Sequence, residues 1–180
     1  MKKILVFLFL VCLVIPPVFG FGCPMIRVCF TPGGDCTGLI VSQIESARSE
    51  VLVQAYYFTS APVAKALVNA AKRGVHVEAI LDKSQESEKY SSAKFLVHMG
   101  IPVLIDYKPA IAHNKIIIID RQTVITGSFN FTKAAQNKNA ENLLVIQNDP
   151  DLVRQYFDNY MSRRSLSIPY HSYQKNVERK

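Results

Sequence analysis

Three residue types suited to phosphate chemistry lie close together in this chain. They are His113, Lys115 and Asp120, within Ala112-His113-Asn114-Lys115-Ile116-Ile117-Ile118-Ile119-Asp120. Positions i and i+2 of a β-strand face the same way, so His113 and Lys115 are expected to project together. The isoleucine run after Lys115 leaves no polar face, which predicts a central strand buried on both sides. An ammonium on such a strand is costly unless it faces a cleft. The pair suits attack on a phosphodiester, with the imidazole as nucleophile and the lysine neutralising phosphate oxygens. Asp120 has the opposite parity, so a structural role at the strand end is expected for it.

Further candidates follow downstream in Gly127-Ser128-Phe129-Asn130. Asn130 is a neutral donor suited to a phosphate oxygen. Ser128 either donates to phosphate or stabilises the turn, and Gly127 permits close backbone approach. Asn130-Phe131-Thr132 is also a glycosylation sequon, a use rejected because a glycan would block the proposed site. Glu141, read alone, is a surface glutamate in a charged loop. None of His76, His98 and His171 is followed by lysine at i+2, so they are read as structural or surface residues. Tyr56, Tyr57 and Phe58 fit a strand packed in the core, with base stacking near a groove as the alternative use.

The elements that must position these groups alternate along the chain. Strands are expected at 27–30, 51–58, 75–81, 103–105, 111–119, 123–126 and 143–146, from β-branched and aromatic runs. Helices are expected over 39–47, 61–73, 93–99 and 152–161, the second and third closed by Gly74 and Gly100. The polar stretch 83–92 reads as a surface loop, and the basic residues from Arg163 onward as a loose tail. This alternation implies an α/β fold, a central β-sheet flanked by helices on both faces.

The first 20 residues have the composition of a secretory signal: Lys2 and Lys3, an apolar run from Ile4 to Ile15, then Pro16 and Pro17. An uncleaved membrane anchor is the competing interpretation. The expected organisation is a signal peptide over 1–20, one domain over 21–165 and a basic tail over 166–180. Loss of Lys2 and Lys3 with the leader takes the formal charge from +7 to +5. A basic exported protein suits polyanions, either nucleic acid or an anionic membrane surface. Cys23, Cys29 and Cys36 would remain, an odd number for an oxidising compartment. A Cys29–Cys36 bridge would tie the first strand to the following helix. The alternatives are packing cysteines and, less well matched in spacing, a zinc knuckle.

In order and spacing, His-x-Lys, Asp120, Gly127-Ser128, the Asn130 segment and Asn139-Ala140-Glu141-Asn142 resemble the phospholipase D superfamily. The likeness is narrower to its small bacterial members, the Nuc-type secreted endonucleases and short phospholipase-D-like proteins. It runs from about Val28 to the helix near Tyr160. The resemblance implies a mixed sheet and a phosphohistidine intermediate on His113, with Lys115 and Asn130 on the phosphate. It also implies that Glu141 orients the imidazole, and it calls for no cofactor and no metal.

The reaction of that family needs a second histidine, protonated, to release the leaving oxygen. One motif per chain therefore implies a homodimer in which His113 and Lys115 of two copies meet on a two-fold axis. The candidate substrates are nucleic acid, DNA first, and a phospholipid such as phosphatidylcholine. A non-catalytic phosphate-binding protein is the remaining alternative.

Overall fold

The computed structural model describes residues 23–170. The expected signal peptide and the far end of the tail lie outside them. Eight strands form one sheet: β1 (Met25–Thr31), β2 (Glu50–Ala55), β3 (His76–Asp82), β4 (Val103–Asp106), β5 (Lys115–Ile119), β6 (Thr123–Gly127), β7 (Glu141–Gln147) and β8 (Ile168–Pro169). Their order across the sheet is β1-β7-β6-β5-β2-β3-β4-β8. The strands β2, β3 and β4 run parallel, and the remaining pairings are antiparallel. The sheet is thus mixed, and β5 is central, as the isoleucine run predicted.

Helices α1 (Cys36–Glu45), α2 (Ala61–Lys72), α3 (Ala93–His98) and α4 (Lys133–Asn137) pack on one face. There Ile40, Ile44, Leu67 and Leu96 meet the inward side chains Val51, Val53, Ile117 and Val145. The opposite face carries α5 (Pro150–Leu166), whose Val153 and Tyr160 cover Leu52, Ile80, Ile118 and Val124. Asp149 caps α5 by accepting from the Leu152 N–H, and Pro150 follows at the first turn, where a missing amide hydrogen costs nothing. A single helix does not cover this face completely. Towards the β1 edge, Ile26, Val28 and Phe30 are 58%, 50% and 64% exposed.

Several expected boundaries shift. The predicted strand 111–119 begins at Lys115 instead, and residues 107–114 form an irregular approach to it. The polar stretch after β3 is not simply a surface loop: residues 83–86 form a 3-10 turn, and Gln85 is fully buried, accepting from the Phe58 N–H. The short helix α4 carries no long apolar period and was not anticipated.

The chain from Arg163 to Tyr170 is ordered rather than loose. Arg163 bonds Asp106, and Arg164 bonds Glu78. Both acids are almost completely buried, so each needs its guanidinium partner. The Tyr160 hydroxyl also donates to Glu78, at 2.9 Å. Beyond α5, β8 pairs with β4. Cys29 and Cys36 form a disulfide, joining β1 to the first residue of α1. Cys23 is free and exposed.

Candidate active site

The candidate residues other than Asp120 gather at one end of the sheet, where β5 and β7 begin and β6 ends. Two segments frame this end. Residues just past β2 meet residues just past β6 through a parallel bridge between Phe58 and Phe131. The Phe131 N–H donates to Tyr57 O, and the Thr59 and Ser60 N–H groups donate to Phe131 O. Both phenylalanines are completely buried, with rings 5.8 Å apart. Two otherwise independent loops are thereby fixed to one core contact.

His113 is exposed and sits on the irregular segment two residues before Lys115. It lies outside the strand that simple alternation extended to it, yet its ring and the Lys115 ammonium both lie against the Tyr56 ring. Three contacts hold the segment. The Ala112 N–H donates to Asp82 Oδ2 at 2.7 Å, the Tyr56 N–H to Asn114 O at 2.9 Å, and Asn114 Nδ2 to Gln54 Oε1 at 3.2 Å. Asp82, at the end of β3, is nearly buried and also accepts from the Ser84 N–H. Burial alone would raise its pKa. The amides of Ser84 and Ala112 outweigh that and hold it below the usual carboxylate range.

Lys115 is 6% exposed. Its ammonium donates to the His113 carbonyl at 2.7 Å and stands 5.1 Å from the centre of the Tyr56 ring. Burial pulls its pKa below that of an ordinary lysine, and the negative charge of Glu141 offsets this only in part. The His113 carbonyl satisfies one of three ammonium hydrogens. The others have no partner among the described residues.

Gly127 ends β6 with φ +142°, and a Cβ there would run into the Asn142 carbonyl. That requirement for glycine agrees with the close approach expected from sequence. Ser128 Oγ donates to Glu141 Oε2 at 2.6 Å and accepts from the Asn142 N–H at 3.0 Å. Glu141 also accepts from Asn139 Nδ2 at 2.9 Å. No hydrogen bond joins Glu141 to His113 among the described residues. The Oδ1 atom of Asn130 is buried without a hydrogen-bond partner.

Asp120 lies at the far end of β5, away from these groups. Its carboxylate accepts from the Arg48, Ser49 and Glu50 N–H groups and from Ser49 Oγ, at 2.7–2.9 Å. Burial would raise its pKa, but these donors hold it below the usual carboxylate range. Asp120 and Arg121 both adopt left-handed backbone, φ 52° and 51°, the form a tight hairpin requires.

His76 and His98 are both exposed and lie on other elements; His171 falls outside the described residues. No cluster of three or more metal-ligating side chains occurs among the described residues. Sequence reasoning missed Asp82 and Gln54 as supports of the His113 segment. Each sits on a buried strand and contacts the segment across dozens of residues, so no local pattern marks it.

An exposed imidazole beside a buried, under-committed ammonium defines a site for an anionic ester. The wider comparisons identify the class. The family model described as "Cardiolipin synthase, PLD-like domain" matches residues 40–164. The phospholipase D of Rickettsia felis is 46% identical over 140 residues, which span 78% of this chain and 70% of that protein. The crystal structure of Nuc from Salmonella typhimurium, a phospholipase D family member, has a TM-score of 0.79 at 40% identity. It covers 83% of this chain and 99% of its own. NucT from Helicobacter pylori gives a TM-score of 0.75 at 25% identity, over 82% and 99% of the two chains. This chain belongs to the phospholipase D superfamily. Its activity is that of a phosphodiester hydrolase.

Proposed function

We propose that this protein is an exported endonuclease of low sequence specificity, acting first on DNA through a phosphohistidine on His113. The observation that carries the chemistry is the juxtaposition of an exposed His113 with the buried Lys115 ammonium. The neutral imidazole attacks phosphorus, so an N–P bond forms and the P–O bond to the leaving group breaks. Lys115 and Asn130 hold the non-bridging oxygens. Water then attacks phosphorus, breaks the N–P bond and regenerates the imidazole.

The leaving oxygen needs a proton, and His113 is the one histidine at this end of the described sheet. A second copy of the chain would supply it, making the working unit a homodimer around one phosphate. The two imidazoles would then titrate as a coupled pair. Within that arrangement Glu141 has a tautomer-fixing role on an imidazole, acting from the Ser128–Asn139 cradle. No step requires a metal, since the lysines carry the neutralising charge.

Nucleic acid is favoured by the formal charge of +7, or +5 without the leader lysines. Export is supported by the leader composition and by the Cys29–Cys36 disulfide, which suits an oxidising compartment. A phospholipid substrate is the second candidate. The name of the Rickettsia relatives favours it, as do the exposed Ile26, Val28 and Phe30, a surface that a lipid interface would engage.

The deciding experiment presents the purified protein, in EDTA, with plasmid DNA, single-stranded DNA and phosphatidylcholine vesicles, using His113→Ala as control. Cleavage of nucleic acid that vanishes in the variant is expected. Cleavage of vesicles alone would transfer the assignment to phospholipid. Equal turnover per chain from demonstrably monomeric protein would overturn the shared site.

A further inference from the structure

We infer that Tyr56 is a positioning residue of the reaction, its aromatic ring setting the direction of the His113 imidazole and the Lys115 ammonium together. This rests on the assignment of His113 as nucleophile.

Tyr56 follows β2 directly and is half-buried. Its ring centre lies 4.6 Å from that of His113, with the planes inclined at 53°. The Lys115 ammonium lies 5.1 Å from the same ring centre. One side chain therefore touches both groups that would meet the phosphate. Contact at this range is the distance of a tilted aromatic pair and of a cation over a ring face.

The ring is itself held in place. The Tyr56 N–H bonds Asn114 O, between the two residues it touches. Tyr57 meets it edge-on, with ring centres 4.5 Å apart and planes at 71°. Tyr57 O accepts the Phe131 N–H, and Phe58 is locked in the core. The backbone beside Tyr56 is thus tied to the core through Phe58 and Phe131.

The residues it supports have little else to hold them. His113 is exposed, its side chain makes no hydrogen bond among the described residues, and two torsions would leave it free to rotate. Lys115 has one hydrogen bond, to a carbonyl. A ring against both narrows their rotamers before substrate arrives, which is how positioned groups gain rate. The contact uses the ring face rather than the hydroxyl, so phenylalanine should serve as well as tyrosine.

The test pairs Tyr56→Phe with Tyr56→Leu and follows hydrolysis of bis(p-nitrophenyl) phosphate, a diester indifferent to the natural substrate. Tyr56→Phe should stay within about twofold of wild type. Tyr56→Leu should lose kcat by about tenfold or more with KM little changed. In the NMR spectrum, Overhauser contacts between the Tyr56 ring and the His113 imidazole are expected in the wild type. The ring-current displacement of the His113 protons should persist in Tyr56→Phe and vanish in Tyr56→Leu.

Wild-type kcat in a folded Tyr56→Leu, or failure of Tyr56→Phe to rescue, would overturn the assignment. Absence of the Overhauser contact in wild type would do so even if the leucine variant did not fold. Retention of activity by His113→Ala would instead sink the nucleophile assignment.

Discussion

The two ends of β5 carry residues of a single motif and treat them in opposite ways. At the C-terminal end, the Asp120 carboxylate accepts from four donors. At the N-terminal end, Lys115 gives one hydrogen bond, to a carbonyl, and His113 is exposed. A fully occupied carboxylate can fix a hairpin to the segment that leads into β2 but has nothing left to offer a substrate. An under-occupied ammonium, buried at some cost, has capacity to spare for an incoming anion. Proximity in sequence therefore does not imply a shared task. How far each side chain's hydrogen-bonding capacity is filled separates the two roles.

Substitutions at the two ends should separate rate from stability. The largest effect is expected from Lys115→Met, which should lower diester hydrolysis by about 10²–10³-fold. It should leave the melting temperature equal or higher, because a buried ammonium is replaced by an apolar chain of similar length. In the wild type the alkaline loss of activity should begin below the ordinary lysine value of 10.5. A pH–rate profile with its midpoint at or above that value would mean that Lys115 is not the group being read.

Asp120→Ala should do the reverse. It leaves the Arg48, Ser49 and Glu50 amides without their carboxylate, at a cost of about 2–3 kcal/mol in urea unfolding. Turnover per folded molecule should remain within about twofold. A large loss of turnover at full folding would restore Asp120 to the reaction.

The smallest effect is the pH dependence of that stability term. The folded-state pKa of Asp120 lies below the ordinary 3.8. Its contribution is therefore complete above 3.8 and is lost as pH falls from there through the folded-state value. The stability gap between wild type and Asp120→Asn should narrow over that acidic window and be constant from pH 5 to 7. A gap that narrowed at neutral pH would implicate another group.

Much of this was legible in the chain itself. The isoleucine run marked β5 as central, and the parity of Asp120 set it apart from His113 and Lys115. The structure agrees on β5 and does set Asp120 apart, but by placing it in the turn past the strand end rather than by parity. Alternation carried β5 too far back, since the strand begins at Lys115, although His113 and Lys115 still meet the same Tyr56 ring. The role of Arg163 and Arg164 was hidden for a different reason. Two arginines near a chain end read as solvated charge, and only the fold shows the buried Asp106 and Glu78 beneath them. Tyr56 was read as a core or stacking residue. Its contact with His113 joins residues far apart in sequence and leaves no periodic trace.

The two arginine clasps on α5 bear on how this molecule can be cut and joined. Cleavage ahead of Arg163 would strand two carboxylates in an apolar layer and remove the strand that borders β4. Such a fragment would retain every residue proposed for the reaction and still be expected to misfold or aggregate. A reporter or affinity handle belongs after Tyr170, which is itself buried and donates its N–H to Val103 O at 2.8 Å.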